Sequence, residues 1–144
     1  MSNSIKYSST RGGESSLSYE DVLLSGLARD GGLFMPEEWP KFSNSDLNEM
    51  KHLNYAELSA KIIRPFVEPC LSENELLHIA KDTYSTFNKD VAPLYQLNKN
   101  LHVLELFHGP TLAFKDYAMQ FLARAFNQAL HNSCLLYTSD AADD

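Results

Sequence analysis

The sequence predicts an α/β fold, in which a mainly helical N-terminal domain is followed by the start of an α/β domain. Three observations support this prediction. Between residues 18 and 84, apolar residues recur at helical spacing behind capping residues. Between residues 92 and 107, two short apolar runs flank a polar turn, which is typical of strands. A long amphipathic helical pattern begins near residue 116, and the order strand, loop, helix opens an α/β unit.

The first elements are a short strand and a helix. Ile5 and Tyr7 alternate with polar residues, which indicates a strand that ends at the glycine pair after Arg11. A helix is predicted over residues 18–28. Ser18 is its expected N-cap, because an acidic residue stands three positions later and can accept a hydrogen bond from the cap amide.

Residues 29–40 predict a loop rather than a regular element. Two adjacent glycines permit backbone angles that other residues avoid, and two prolines interrupt regular hydrogen bonding. The centre of this loop is strongly apolar. We therefore expect its large side chains to pack onto the domain, namely Leu33, Phe34, Met35 and Trp39.

Three more helices are predicted before residue 90. The first, over residues 46–50, is short and weak. The second covers residues 54–67, although Pro65 is expected to end or kink it. The third covers residues 72–84. Capping residues followed by Glu at the third position support the last two helices. The expected apolar stripes are Leu58, Ile62 and Phe66 in the second helix and Leu76, Ile79 and Ala80 in the third.

The next elements are two strands and a long helix. Residues 92–97 and 101–107 are rich in large apolar side chains and are separated by a polar turn, so they predict paired strands. A helix is predicted over residues 116–131. Its expected buried face consists of Met119, Leu122, Ala123, Phe126 and Leu130.

A domain boundary is predicted near residues 85–92, where the helical pattern gives way to strands. It divides a mainly helical domain, residues 1–90, from the beginning of an α/β domain, residues 91–133. Residues 134–144 lack the second strand that an α/β unit should deliver, and they end in small and acidic residues. The string resembles translated sequencing-adapter read-through, so we expect this tail to be non-native.

Composition excludes several classes of protein. The chain has 144 residues, of which 44% are hydrophobic and 22% charged, as in soluble globular proteins. Its net charge of −7 disfavours binding to nucleic acid or to an anionic membrane. The sequence lacks an apolar run of membrane-spanning length and a secretory signal. Two cysteines are too few for a disulfide framework or a zinc site. We therefore expect a cytoplasmic protein without a metal site.

Lys115 is the leading candidate for chemistry. It lies between Phe114 and Asp116, where the predicted loop becomes a helix. An amine attacks a carbonyl carbon only when unprotonated, and an ordinary lysine, with a pKa of about 10.4, is almost entirely charged at neutral pH. Burial beside Phe114 and Phe121 is expected to favour the neutral amine, as is the positive end of the helix dipole. A lysine in such a place forms Schiff bases readily, whereas most lysines are simply surface residues.

The neighbours of this lysine each have a structural and a chemical interpretation. Gly109 and Pro110 are expected to fix the turn that presents the amine. Thr111 either caps the following turn or donates to a ligand, and we favour capping. Asp116 either pairs with the lysine or stabilises the helix N-terminus, and we favour the helix role. We expect His108 to be buried and hydrogen-bonded rather than a proton carrier or a phosphate contact.

A second candidate site is the segment of residues 9–13. Ser9, Thr10 and Arg11 offer two hydroxyls and a guanidinium beside two glycines, and such a group can hold a phosphate or another anion. A strand-end turn with Arg11 in a surface ion pair explains the same residues equally well, so both interpretations stay open. Neither the glycine-rich dinucleotide pattern nor the Walker-type phosphate loop occurs.

The string ELFHGPTLAFKD, from Glu105 to Asp116, closely resembles the cofactor-lysine segment of threonine synthases, which are pyridoxal phosphate (PLP) enzymes of fold type II. Other stretches resemble the same family in the same order, namely YSSTRGG, LARDGGLFMPEEWP and NYAELSAKII. The resemblance extends from Tyr7 to about Phe126. It implies that the α/β portion is the start of a fold type II cofactor domain.

The resemblance also implies a reaction. Lys115 would form a Schiff base with PLP, and its freed amine would act as a general base and acid. Family members convert O-phospho-L-homoserine and water to L-threonine and phosphate, while the cofactor stabilises carbanion charge. Asp116 and Thr111 are then candidate cofactor contacts. The hydroxyls and guanidinium of residues 9–11 are candidate contacts for a substrate or cofactor phosphate.

Family members are several-fold longer than this chain, and the resemblance implies that their cofactor-phosphate loop lies downstream of Asn132. We therefore expect the chain alone to have little or no activity. Two alternatives stay open. One is a threonine-synthase-like phospho-lyase that releases 2-oxobutyrate, and the other is a non-catalytic N-terminal module that packs or binds. The sequence does not predict an oligomeric state.

Overall fold

The computed structural model describes residues 4–88 and 90–133, and the tail predicted to be non-native lies outside these residues. The described residues form a mixed α/β structure of five helices and four short strands. In chain order these are β1 (Tyr7–Ser9), α1 (Tyr19–Ser25), β2 (Phe34–Pro36), α2 (Asn44–Met50), α3 (Tyr55–Val67), α4 (Glu73–Tyr84), β3 (Leu94–Asn98), β4 (Leu101–Leu104) and α5 (Asp116–Asn132).

The N-terminal strand pairs with a strand that the sequence did not predict. β1 and β2 are antiparallel, with Tyr7 opposite Pro36 and Ser9 opposite Phe34. β2 lies inside the predicted loop. The strand is only three residues long and lies among glycines and prolines, so residue propensities do not predict it.

The expectation that this loop buries its large side chains is mostly wrong. Leu33, Met35 and Trp39 are all exposed, and Trp39 is 64% exposed. Trp39 nevertheless contacts the domain, since its ring meets the ring of Phe66 edge-on.

Each of the first four helices begins with a capping box, in which the cap side chain and the third residue of the helix exchange hydrogen bonds. The pairs are Ser18 and Asp21, Ser43 and Asp46, Asn54 and Glu57, and Ser72 and Glu75. Three of these pairs were predicted, and the box of α2 was missed. Pro65 does not end α3, which continues to Val67. Pro65 has no N–H to donate to the carbonyl of Lys61, but only two residues of the helix follow it, so little of α3 is disrupted.

The core lies between α3, α4 and one side of α5. The predicted stripe of α4 is confirmed, since Leu76, Ile79 and Ala80 are all buried. The predicted stripe of α3 is only partly right. Ala60 and Val67 are the buried residues of that helix, whereas Ile62 is exposed.

The predicted buried face of α5 is wrong. Ala125 and Ala129 are fully buried, whereas Met119 is 55% exposed and Leu122 is 42% exposed. α5 is apolar on two sides, so its sequence pattern does not decide which side is packed. The small side chain of Ala125 allows α5 to approach α4 closely, and the large side chains of the other face point away from this core.

β3 and β4 form the predicted hairpin. They are antiparallel, with Leu94 opposite Leu104 and Asn98 opposite Leu101, and every residue in both strands is exposed. The boundary near residues 85–92 coincides with the irregular segment between α4 and β3. α5 nevertheless shares its core with α3 and α4, and the division into two domains stays a prediction. Among the described helices, none combines the length and the hydropathy needed to cross a membrane.

Candidate functional site

Lys115 stands at the N-terminus of α5. It is the N-cap residue with a helical backbone, and its carbonyl oxygen accepts hydrogen bonds from Ala118 N at 3.1 Å and Met119 N at 2.9 Å. Its backbone is therefore part of the first helical turn. The side chain is exposed, and among residues 4–88 and 90–133 no carboxylate forms an ion pair with its amine.

The expected burial of this lysine is not observed. Phe114 is 67% exposed, and Phe121 packs against the helical core. Lys115 and Phe121 therefore face different surroundings, because they are six residues apart and lie on different sides of the helix. The structure does confirm the expected position of Lys115 at the N-terminus of the helix.

Asp116 and Thr111 contact each other. Asp116 is only 4% exposed, and its Oδ2 accepts a hydrogen bond from Thr111 N at 2.7 Å while its Oδ1 accepts one from Thr111 Oγ1 at 2.8 Å. Asp116 is also the first residue of α5, as the favoured helix role requires. It makes no ion pair with Lys115, and the Thr111 hydroxyl donates to Asp116.

The loop before Lys115 is tightly folded. A Cβ atom placed on Gly109 would lie 2.5 Å from both Cβ and Oδ2 of Asp116, so only glycine fits there. Leu112 N donates to Gly109 O at 3.1 Å, and Leu112 has a φ of 60°, a conformation that is unfavourable for a branched side chain. The expectation that Gly109 fixes the turn is consistent with this close approach.

His108 is held by hydrogen bonds on both ring nitrogens, as expected, but it is half-buried rather than buried. Nε2 lies 2.8 Å from Glu105 Oε2, and Nδ1 lies 3.3 Å from Asn88 Nδ2. The amide nitrogen of Asn88 can only donate, so Nδ1 accepts and Nε2 donates its hydrogen to Glu105. The ring also stacks on Phe107 at 4.6 Å. These contacts give His108 a structural role beside the lysine loop.

Tyr117 is a site residue that sequence reasoning missed. Its hydroxyl donates to Val91 O, and its ring meets Phe87 edge-on at 4.8 Å. Burial raises the pKa of Tyr117, so the hydroxyl stays a neutral donor at physiological pH. Tyr117 thereby joins the start of α5 to the segment before β3. Tyr117 precedes Phe121 by four residues and Ala125 by eight, which places all three on one face of the helix. This spacing is the sequence signal that could have identified it.

The predicted anion cradle is filled by a carboxylate of the chain itself. Ser9 Oγ donates to Asp30 Oδ1 at 2.7 Å, and the amides of Gly13 and Gly32 donate to Asp30 at 2.8 Å each. These bonds, with that of Ser9 the largest contribution, lower the pKa of Asp30. Asp30 was missed, although a carboxylate next to Gly31 and Gly32 was a usable sequence signal.

The other two residues of that candidate site have separate partners. Thr10 Oγ1 accepts a hydrogen bond from Leu33 N at 3.0 Å, and Arg11 Nη1 donates to Asp30 O at 3.1 Å. Both side chains are exposed. The surface ion pair that the strand-end interpretation gave Arg11 is not observed among the described residues, where the guanidinium contacts a backbone carbonyl instead. A phosphate contact by Thr10 or Arg11 stays a prediction.

The chain matches known proteins over most of its length. The family model described as threonine synthase N terminus matches residues 6–84. Threonine synthase from Pseudomonas aeruginosa is 49% identical over 127 residues, which are 88% of this chain and 27% of the relative.

Two solved structures are similar to the chain. PLP-bound threonine synthase from Brucella melitensis has a TM-score of 0.86 and 43% identity over 91% of this chain and 28% of that protein. Threonine synthase from yeast has a TM-score of 0.85 and 34% identity over 99% of this chain and 29% of that protein. The chain thus spans about a quarter of the length of its relatives. It belongs to the threonine synthase family and corresponds to the N-terminal part of those proteins.

Proposed function

We propose that Lys115 is the cofactor-bearing lysine of a threonine synthase, and that the reaction converts O-phospho-L-homoserine and water to L-threonine and phosphate. The observation that carries this proposal is the exposed amine of Lys115 on a fixed loop-to-helix junction. Its setting within the string from Glu105 to Asp116 and the PLP-bound Brucella relative support the same conclusion.

The residues present fit PLP. An amine that condenses with an aldehyde must be accessible and free of a carboxylate partner, and Lys115 meets both conditions within the described residues. When bound, PLP supplies an electron sink that stabilises negative charge on the substrate.

Lys115 then has two tasks. Its Nζ would hold the cofactor covalently, and once free the same atom would move protons at Cα and Cβ of the substrate. Both tasks require an amine held about 3–3.5 Å from the reacting atoms, which a rigid junction provides better than a mobile loop. The helical backbone of Lys115 supplies that rigidity.

This chain corresponds to about a quarter of the length of its relatives, and we propose that a surface from the rest of such a protein covers the lysine. Phe107, Leu112 and Phe114 are large apolar side chains close to Lys115 in the chain, and all three are exposed. Covering them would exclude water from the surroundings of the amine. We propose accordingly that the chain alone converts no substrate.

The exposed guanidinium of Arg11 and hydroxyl of Thr10 remain candidates for binding a substrate phosphate.

A chimera tests this function. Residues 1–133 of this chain would replace the matching segment of the Pseudomonas aeruginosa enzyme, and threonine and 2-oxobutyrate would both be measured from O-phospho-L-homoserine. We expect threonine formation that Lys115→Ala abolishes. Lys99, exposed in the turn between β3 and β4, gives the matched control, and Lys99→Ala should keep the activity.

The same assay separates the alternatives. Release of 2-oxobutyrate without threonine would favour a phospho-lyase. A folded chimera that makes neither product would contradict the proposal and favour a non-catalytic module. Retained activity in Lys115→Ala would also contradict it.

A further inference from the structure

We propose that Asp116 is a positioning residue for Lys115. With Thr111 and Gly109 it forms a clamp, defined by these three residues, that fixes the loop carrying the lysine. In this assignment neither Asp116 nor Thr111 touches the cofactor. The inference rests on the proposed role of Lys115 and adds the residues that hold it in place.

The hydrogen bonds of Asp116 are directed back into the loop. Each of its two carboxylate oxygens accepts a bond from Thr111, one from the amide at 2.7 Å and one from the hydroxyl at 2.8 Å. The side chain is buried and lacks an ion-pair partner within the described ranges. A buried polar group must be satisfied by hydrogen bonds, and Thr111 satisfies both oxygens. The amide and hydroxyl hydrogens of Thr111 are therefore both donated to Asp116, and neither is left for a cofactor oxygen.

Gly109 makes the clamp possible. Any side chain there would collide with Asp116, because an added Cβ would come within 2.5 Å of its Cβ and Oδ2. Gly109 O also accepts the amide of Leu112 at 3.1 Å. Leu112 is held in the left-handed region at a φ of 60°, which persists only where surrounding contacts determine it. The clamp supplies such contacts.

Lys115 is positioned through its backbone. The clamp joins Thr111 to Asp116, so residues 112–115 form a closed loop whose last residue carries the amine. Asp116 N also donates to Ala113 O at 3.0 Å inside this loop. The lysine side chain is long and flexible, so fixing its Cα is the main way to limit the positions that Nζ visits.

Nuclear magnetic resonance on the whole chain tests the clamp without the cofactor. In Asp116→Asn, one side-chain oxygen remains as an acceptor but the charge is lost, so the Thr111 amide should exchange with solvent about tenfold faster. Backbone order parameters of residues 112–115 should fall from about 0.85 toward 0.6. Amides of Ala125 and Ala129 should exchange at the wild-type rate, which shows that the core is intact.

Thr111 supplies variants that remain useful if Asp116→Asn does not fold. Thr111→Val removes only the hydroxyl donor and should loosen the same residues, whereas Thr111→Ser keeps both donors and should behave as wild type. Asp46→Asn alters another first-turn carboxylate, at α2, and should leave residues 112–115 unchanged. The clamp would be overturned if both Asp116→Asn and Thr111→Val kept wild-type values. These values are the exchange rate of the amide at position 111 and the order parameters of residues 112–115.

Titration of the chimera described above with PLP tests the positioning. The equilibrium constant for adduct formation at Lys115, read by absorbance and peptide mapping, should fall about fivefold to tenfold in Asp116→Asn and Thr111→Val, while Thr111→Ser restores it. Unchanged constants in the first two variants would overturn the positioning role. A wild-type chimera without an adduct at Lys115 would instead contradict the proposed function, and the exchange data would still decide whether the clamp exists.

Discussion

At the scale of single residues, two aspartates organise the two loops that carry candidate site residues. Asp30 accepts hydrogen bonds from the Ser9 hydroxyl and from glycine amides, and Asp116 accepts them from the hydroxyl and amide of Thr111. In both loops a nearby glycine leaves no room for a Cβ, at Gly32 beside Ser9 and at Gly109 beside Asp116. A carboxylate thus holds each loop from within.

The sequence identified Lys115 but not its surroundings. The segment from Glu105 to Asp116 resembles the family and places the lysine at a loop-to-helix junction. That inference depends only on residues that are adjacent in the chain. Burial depends on atoms from elsewhere, so the expected cover by Phe114 and Phe121 could not be read from their proximity in sequence. Asp30 was missed for a similar reason, because its partners Ser9 and Gly13 are far from it in the chain.

The Asp30 contacts predict a pH dependence of local stability. The pKa of Asp30 is lowered below its ordinary value of 3.8 in the folded chain, so its contribution to stability is complete above 3.8 and is lost as the pH falls through the lower, folded-state value. Protection of the Gly13 and Gly32 amides against hydrogen exchange should therefore decline in this acidic range.

Substitution of the carboxylate checks the same point at neutral pH. Asp30→Asn should reduce the protection factors of Gly13 and Gly32 about tenfold at about pH 6, because a charge-assisted bond becomes a neutral one. It should also remove the acid-dependent decline. Glu38→Gln, at an exposed position in the segment after β2, is the control and should change neither. If neither Asp30→Asn nor acid changed the protection factors of Gly13 and Gly32, the carboxylate would not hold this loop.

At the scale of elements, helix starts were predictable and helix faces were not. A capping box needs only residues within one turn, so Ser18, Asn54 and Ser72 were found from sequence alone. The face that a helix buries depends on its partner. For α5, the apolar pattern offered two faces, and the face with Ala125 was taken by α4.

The packing of α5 predicts different responses to the same substitution on its two sides. Ala125→Leu should lower the free energy of unfolding by about 1–3 kcal/mol, because Ala125 is fully buried and the added atoms would force α4 and α5 apart. Ala123→Leu, at an exposed position of the same helix, should change it by less than about 0.5 kcal/mol. Urea denaturation measures both values, and equal effects would refute the assigned orientation of α5.

At the scale of the whole molecule, the described residues divide into a packed helical part and an uncovered apolar part. The helical part has a core built from α3, α4 and α5. The uncovered part comprises the β3–β4 hairpin, the loop before α5 and the outward face of α5, where Leu94, Leu112 and Met119 respectively are exposed. Patches of this kind mark surfaces that contact other protein. In relatives about four times as long, we expect the remainder of the chain to cover this surface and with it Lys115.

The central claim is that the amine of Lys115 carries the cofactor, and reductive trapping tests it most directly. The chimera with the Pseudomonas aeruginosa enzyme would be incubated with stoichiometric PLP, reduced with borohydride and digested for peptide mapping. We predict a pyridoxyl group on Lys115 and its loss in Lys115→Ala. A pyridoxyl group found at other lysines instead, or at none, would contradict the claim.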